Sequence, residues 1–268
     1  MSHPIRILTL AQWADGSNWR WELQHSLETH ALIWITRGQG LCTIEGRRRG
    51  VGVHNAFAIP AKALFSFDLG KQIFGLITLI PARSPILMPD EPQHLRIRDA
   101  QAQAELTSIL DALQREQINA RTFSDEAMTA HAHLLTIWLR RAMIAQGAQE
   151  DKTSAAENLL KAFTALIERD FRTNKPMADY ARTLGVTPTH LTRCCRQCCG
   201  LTAAAMLTER TVHAARDLLE ESNIPIQNIA SRLGFNSAAY FSRFILQNTG
   251  QTPSALRKRK SRKTLTAL

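Results

Sequence analysis

Three groups of residues in this chain carry side chains able to do chemistry. Ser242 and Arg243 are the first: once Tyr240, Phe241, Phe244 and Ile245 pack inward along a helical stretch, a hydroxyl and a guanidinium remain for its solvent face. Such groups hydrogen-bond base edges when a helix lies in a DNA major groove. Second come Cys194, Cys195, Cys198 and Cys199, four of the five cysteines, packed into CCRQCCG. A redox switch or a metal site is the sharp reading of that cluster. Helix geometry argues against both, because neighbours on a helix point about 100° apart and four thiolates on one helix cannot converge tetrahedrally on zinc. The bland reading, cysteine as a small buried hydrophobe, is the expectation. The third group is His25, His30 and His54. His25 and His30 precede a strand and His54 lies on a later one, but none belongs to a His-x-His pair with a carboxylate a few residues on, so no metal site is expected.

The elements that position these groups are clearest from Ile226 to Gly250. Ile226, Ile229, Ala230 and Leu233 recur at helical spacing, Gly234 supplies a turn, and Ser237 caps a second helix. This is a helix-turn-helix pattern, and it occurs once more. Ala181, Leu184 and Gly185 match Ala230, Leu233 and Gly234 at a separation of 49, while Leu191, Thr192, Arg193 and Gly200 match Phe241, Ser242, Arg243 and Gly250 at 50. The same alignment sets Cys194 opposite Phe244 and Cys195 opposite Ile245, both apolar positions. Thr187-Pro188 opens the earlier second helix as cap and first helical residue, and Thr252-Pro253 opens a last short helix in the same way. Joined by one helix from Ala203 to about Glu221, the two units can present both second helices to successive major-groove segments roughly 34 Å apart on one duplex. An ordinary helical bundle is the alternative.

On the residues Ala181-x-x-Leu184-Gly185, Leu191-Thr192-Arg193, Ala230-x-x-Leu233-Gly234-Phe235, Tyr240-Phe241-Ser242-Arg243, Gly250 and Thr252-Pro253, the stretch from about Ala155 to Lys260 resembles the DNA-binding domain of the AraC/XylS family of bacterial transcription regulators. The resemblance implies seven helices, binding to double-stranded promoter DNA, usually activation of transcription, and RNA polymerase as a further partner. Carried over residue by residue, the DNA-contacting positions fall on Thr189, Thr192, Arg193 and Arg196 in the first unit and on Ala238, Ala239, Ser242 and Arg243 in the second. Arginine bonds guanine at two acceptors and threonine or serine bonds several base edges, whereas alanine meets only a thymine methyl. The first unit is therefore expected to carry more sequence information.

Charge follows the same division. Through Ser154 there are 16 Lys/Arg against 15 Asp/Glu, a net +1; from Ala155 there are 17 against 8, a net +9. Cations that neutralise phosphates release counterions, so binding by the second half is expected to weaken steeply with salt. Part of the excess is the run Arg257, Lys258, Arg259, Lys260, Arg262 and Lys263, which a solvated tail explains equally well. No apolar run approaches the roughly 20 residues of a membrane span. The amino terminus lacks the basic and apolar regions of an export signal, so a cytoplasmic location without a membrane partner is expected.

From Ile5 to about Leu79, short apolar runs are broken by turn signals. Strands are expected at Ala31–Thr36, Leu41–Glu45, Val51–Ile59, Ala63–Asp68 and Ile73–Leu79, with Arg47, Arg48 and Arg49 in a hairpin turn. Close antiparallel strands imply a small barrel or sandwich. The Arg37-Gly38-x-Gly40 turn, the basic turn and the strand end Ala58-Ile59-Pro60-Ala61 are similar to the cupin-type sensing domain of many members of that family. Trp19, Trp21, Glu22 and His25 ahead of the strand resemble the branch responding to aromatic acids such as 4-hydroxybenzoate. A barrel mouth would hold such an effector among Trp19, Trp21, Trp34, Phe57, Phe65 and Phe67, with His25, His30 and Arg37 placed to meet a carboxylate. Core packing is the plain alternative for each aromatic.

Pro81 to Pro92 reads as a loop, followed by helices at about Ala100–Gln117 and Ser124–Gln146. Their apolar faces, which include Leu113 and Leu135, either cover the barrel or pair across a homodimer, and the family resemblance favours the dimer. The expectation is thus an α+β chain of two domains: a cupin-like barrel over 1–98, a helical dimerisation segment over 99–146, a linker over 147–154, an all-α DNA-binding domain over 155–260 and a basic tail over 261–268. Its expected work is sequence-specific transcription regulation under a small-molecule effector, with no enzymatic activity, cofactor or metal. Two readings of other classes stand beside it. One is a cupin-type metal-dependent oxygenase with a nucleic-acid-binding appendage; the other is an architectural DNA-binding protein that answers to no ligand.

Overall fold

The computed structural model describes residues 4–70, 72–147 and 154–258. The chain divides into two compact units, Met1–Glu22 with Ser26–Ser154, and Ala155–Leu268 with Leu23–His25. The expected tail at 261–268 and the expected linker, apart from Gly147 and Ser154, lie outside the described residues.

In the first unit, β1 (Arg6–Thr9), α1 (Leu10–Ala14) and α2 (Trp19–Glu22) precede β2 (Thr29–Arg37), β3 (Gly40–Ile44), β4 (Arg47–Val51), β5 (Asn55–Ile59), β6 (Phe65–Leu69), β7 (Phe74–Pro81) and β8 (Gln93–Arg96), and α3 (Ala100–Asn119) and α4 (Ser124–Gln146) follow. The strands form two antiparallel sheets, ordered β1-β7-β2-β5-β8 and β4-β3-β6. β2 shows why the run ALIWI has no polar side. Ala31, Ile33 and Ile35 face the other sheet with Phe57, Phe65 and Phe67, whereas Leu32 and Trp34 face α3 and α4. A strand covered on both faces needs apolar residues at every position.

The helices are fixed over the outer face of the larger sheet by side chains and by backbone satisfaction. Leu106, Leu110 and Leu113 of α3 and Leu135, Trp138 and Leu139 of α4 are buried with Leu32 and Trp34. Removing each such side chain from water contributes roughly 1.5–3 kcal/mol. Asp99 caps α3 by accepting the Ala102 N–H at 2.7 Å, and the Trp138 Nε1–H donates to the Ala102 carbonyl at 2.9 Å. Gln117 accepts from Ile7 N–H and donates to Ile7 carbonyl, both at 2.8 Å, so the free edge of β1 is bonded to a side chain.

Leu113 and Leu135 therefore serve the fold of one chain, correcting their expected place near a dimer interface. The expected strand Val51–Ile59 is two strands, because residues 52–54 make a turn in which His54 adopts φ 60°. Arg47, Arg48 and Arg49 are not in a turn but form β4. Glu45 and Gly46, with φ 47° and 78°, have already reversed the chain, as a two-residue hairpin with both central residues left-handed does. His30 lies within β2 and His54 in the turn, rather than before a strand and on one. Among the described residues, no helix is long and apolar enough to cross a membrane.

The second unit is all-helical: α5 (Ala155–Asp170), α6 (Met177–Thr183), α7 (Pro188–Cys199), α8 (Ala203–Glu221), α9 (Ile226–Arg232), α10 (Ala238–Thr249) and a short helix at 253–258. Leu160, Phe163 and Ile167 give α5 its buried stripe, and the Tyr180 ring of α6 meets Phe163 edge-on. Arg210 of α8 binds Glu168 of α5 through two hydrogen bonds, 2.6 and 3.0 Å, and lies 3.9 Å over the Phe171 ring. That bidentate pair holds the long central helix against the opening one.

Candidate nucleic-acid interface

Each helix-turn-helix is built from local signals that agree. Thr187 accepts the His190 N–H at 3.2 Å and starts α7 with Pro188 behind it, while Ser237 accepts the Tyr240 N–H at 3.1 Å and starts α10. Thr252 caps the last helix through Ala255 N–H at 3.2 Å. The turns between α6 and α7 and between α9 and α10 pass through Gly185 at φ 69° and Gly234 at φ 80°.

The inward faces differ between the two units. α10 buries Phe241 and Ile245, with Phe244 only half-buried, whereas α7 buries Leu191, Cys194, Cys195 and Cys199. All five cysteines are free thiols, and burial pushes Cys195 up to about 12, so it stays protonated and packs as a small apolar group. Tyr240 departs from its expected inward place. It is 53% exposed, resting its ring on Phe235, which already fills the space beneath the start of α10.

The outward faces carry the expected contact residues. On α7, Thr189, Arg193 and Arg196 are exposed and Thr192 is half-buried; on α10, Ala239 and Arg243 are exposed while Ala238 and Ser242 are half-buried. On α7 the spacing of three and four residues puts the set on one stripe opposite the buried one, whereas on α10 Ala239 and Arg243 stand clear of the core and Ala238 and Ser242 lie at its margin, three residues before Phe241 and Ile245 respectively. His190 was not among the expected residues, although its place three residues before Arg193 is the signal that could have found it. The Arg193 guanidinium donates to His190 Nδ1 at 3.0 Å, and His190 Nε2 lies 3.5 Å from the Cys194 sulfur. Because arginine only donates, Nδ1 must be the unprotonated nitrogen and Nε2 carries the hydrogen. His190 thus holds Arg193 in one orientation across the face of α7.

Residues 180–259 match the family described as a helix-turn-helix domain. The HTH-type transcriptional regulator GlxA of Rhizobium meliloti (strain 1021) is 33% identical over 137 residues, covering 49% of this chain and 42% of that protein. The arabinose operon regulatory protein of Escherichia coli (strain K12) is 29% identical over 84 residues, 31% of this chain and 29% of that one. The second unit is an AraC-type helix-turn-helix domain. The bifunctional transcriptional activator/DNA repair enzyme AdaA of Bacillus subtilis (strain 168) is similar too, 30% identical over 95 residues, 35% of this chain and 45% of that protein. The chain spans less than half the length of each of these relatives, and the likeness does not extend the AraC-type assignment to their other parts.

Of the five residues expected to bind an effector, the four that lie in the first unit, Trp21, His30, Trp34 and Arg37, are not brought together. Trp21 packs into the cluster between the sheets, and Trp34 lies on the opposite face of β2 because alternate residues point to opposite sides. His25 groups with the second unit; burial pushes it down to about 4, its Nδ1 hydrogen-bonds the Leu23 carbonyl at 2.8 Å, and its ring stacks on His213. A neutral imidazole makes a poor carboxylate partner. His30 Nδ1 accepts the Ala61 N–H at 3.2 Å, and Arg37 sits over the Phe74 ring at 5.6 Å. The space between the sheets is filled by Ile33, Phe57, Phe65 and Phe67, so it is a packed core in place of the expected ligand-holding mouth. Among the described residues, no group of three or more His, Cys, Asp or Glu is placed to hold a metal ion.

Proposed function

We propose that this chain is a sequence-specific transcription regulator, an activator that places α7 and α10 in successive major-groove segments of promoter DNA. The observation that carries the reading is the pair of capped helices, each with a buried stripe and with exposed or half-buried side chains of types able to meet base edges. Thr189, Thr192, Arg193 and Arg196 form the richer set; Ala238, Ala239, Ser242 and Arg243 offer methyl contacts, one hydroxyl and one guanidinium. Arg196 and Arg243 have no ion-pair partner among the described residues, which leaves both free for phosphates or bases.

Arg193→Ala is expected to weaken binding to the preferred sequence by about 1–3 kcal/mol and to relax preference at one base pair. Titration of duplexes varied at each position reads both effects. Equal weakening on every sequence would move Arg193 from base reading to a phosphate contact.

The first unit acts in this reading as the sensor of a small aromatic acid, and the regulator works as a homodimer that recruits RNA polymerase. Support for the dimer comes from the side of α4 opposite its buried face, where Leu134, Ile137, Arg141 and Ile144 follow at the 3-4-3 spacing of a coiled-coil seam. Leu134, Ile137 and Ile144 are 50%, 41% and 81% exposed, a cost in water that a second copy of the helix removes. The reading is non-enzymatic.

A further inference from the structure

On the outer face of the larger sheet, where β2 passes under α3, two clefts lie side by side. One has a volume of about 530 Å3 and is lined by His54, Ser108 and Arg115 among others; the second, about 300 Å3, is lined by Leu10, Ile73, Phe74 and Leu110. Trp34, Thr36, Thr107 and Asp111 line both, so the two form one groove with a charged end and an apolar end. Every lining residue belongs to the first unit.

Three features of this groove ask for a ligand. Asp111 and Arg115 stand one helical turn apart on α3, with the acid first, an order that favours pairing. Yet among the described residues neither is in an ion pair, with the other or with anything else. Among the described residues the Trp34 indole N–H has no acceptor, although the ring is buried and forms a wall of both clefts. A buried donor left unpaired is costly and asks for an oxygen to satisfy it. The groove also offers flat surfaces: at its charged end His54 stacks on Trp34 at 5.7 Å and 17°, and at its apolar end Phe74 is 56% exposed.

We infer that this groove binds an amino-acid-like zwitterion with an aromatic side chain. Its carboxylate pairs with Arg115 and its ammonium with Asp111, while the ring runs past Trp34 toward Phe74. Opposite charges carried on one carbon match opposite charges one turn apart, and a molecule with a carboxylate alone leaves Asp111 unpaired beside it. The inference rests on the reading of the first unit as a sensor and narrows its ligand from an aromatic acid to one that also bears an amine.

The test is isothermal titration of the full chain with phenylalanine, tyrosine and tryptophan, and with three partial probes: 3-phenylpropanoate, which lacks the ammonium, phenethylamine, which lacks the carboxylate, and glycine, which lacks the ring. At least one of the three amino acids binds, and the partial probes bind about tenfold or more weakly than it does. Asp111→Asn and Arg115→Gln, both on the exposed side of α3, each bring a comparable loss without altering the unfolding temperature of the unliganded protein. If 3-phenylpropanoate binds as tightly as phenylalanine and Asp111→Asn changes nothing, the zwitterion assignment is overturned and the aromatic-acid sensor survives. If no probe binds, both fall, and the DNA affinity of the same preparation shows whether the AraC-type domain is intact.

Discussion

Leu135→Asp is expected to unfold the first unit, whereas Ile137→Asp, two residues away, leaves it folded and separates the dimer. Leu135 is fully buried among Leu32, Leu110, Leu113 and Trp138. Losing the leucine side chain there costs about 2–5 kcal/mol, and a carboxylate in its place has no partner in an apolar core, so the total exceeds about 5 kcal/mol. A loss of that size equals the whole stability of many domains, about 5–15 kcal/mol. Ile137 is 41% exposed on the opposite side of α4, where a charge meets water in the monomer and a like charge in a two-fold dimer. Circular dichroism should show the first variant without its cooperative transition and the second with a nearly unchanged one. Sedimentation should show Ile137→Asp as a monomer. A folded, dimeric Ile137→Asp chain would remove α4 from the interface.

Gly234→Ala is expected to cost about 3 kcal/mol or more, and Gly185→Ala only about 1–2 kcal/mol, although both glycines turn a helix-turn-helix at positive φ. A methyl on Gly234 would lie 2.3 Å from the Arg172 carbonyl oxygen and 3.0 Å from the Asn174 nitrogen, backbone atoms that cannot swing aside. At Gly185 nothing lies within 4 Å, so only the left-handed backbone resists. Urea unfolding of the two variants measures the difference directly. Equal losses would mean that the chain after α5 moves away from the second turn at little cost, and that the close approach does not hold the second helix-turn-helix against the segment leading into the first.

The helix-turn-helix units were legible because their signals are local. Thr187-Pro188, Gly234 and Ser237 mark boundaries within a few residues of the apolar spacing they enclose, and the structure places caps and turns on those residues. Strand β4 was not legible, since RRRG at the edge of a sheet has the composition of a turn, and only the left-handed pair Glu45 and Gly46 gives the reversal away. β8 was missed for a related reason: in QHLR only Leu95 is buried, too little to show a period of two. Tyr240 fits the apolar pattern of its helix but lies outside the core, because Phe235 comes from the preceding turn and takes the inner position. The effector residues could not be assembled from the chain, since the apolar run of β2 sends Ile33 and Trp34 to opposite faces and only the register with β5 and β7 says which face is which. His190 illustrates a smaller gap: its spacing to Arg193 was visible, but the hydrogen bond needs the rotamers of both side chains.

The most direct test of the central claim is selection of binding duplexes from a random DNA pool by the full chain, followed by titration of the selected and scrambled duplexes at two salt concentrations. The account predicts two clusters of preferred bases about 10 base pairs apart. It also predicts a preference over scrambled DNA of about a thousandfold or more, with affinity for both duplexes falling steeply as salt rises. Equal affinity for selected and scrambled duplexes at both salt concentrations would contradict it, and would make the chain an architectural DNA-binding protein that reads charge without sequence.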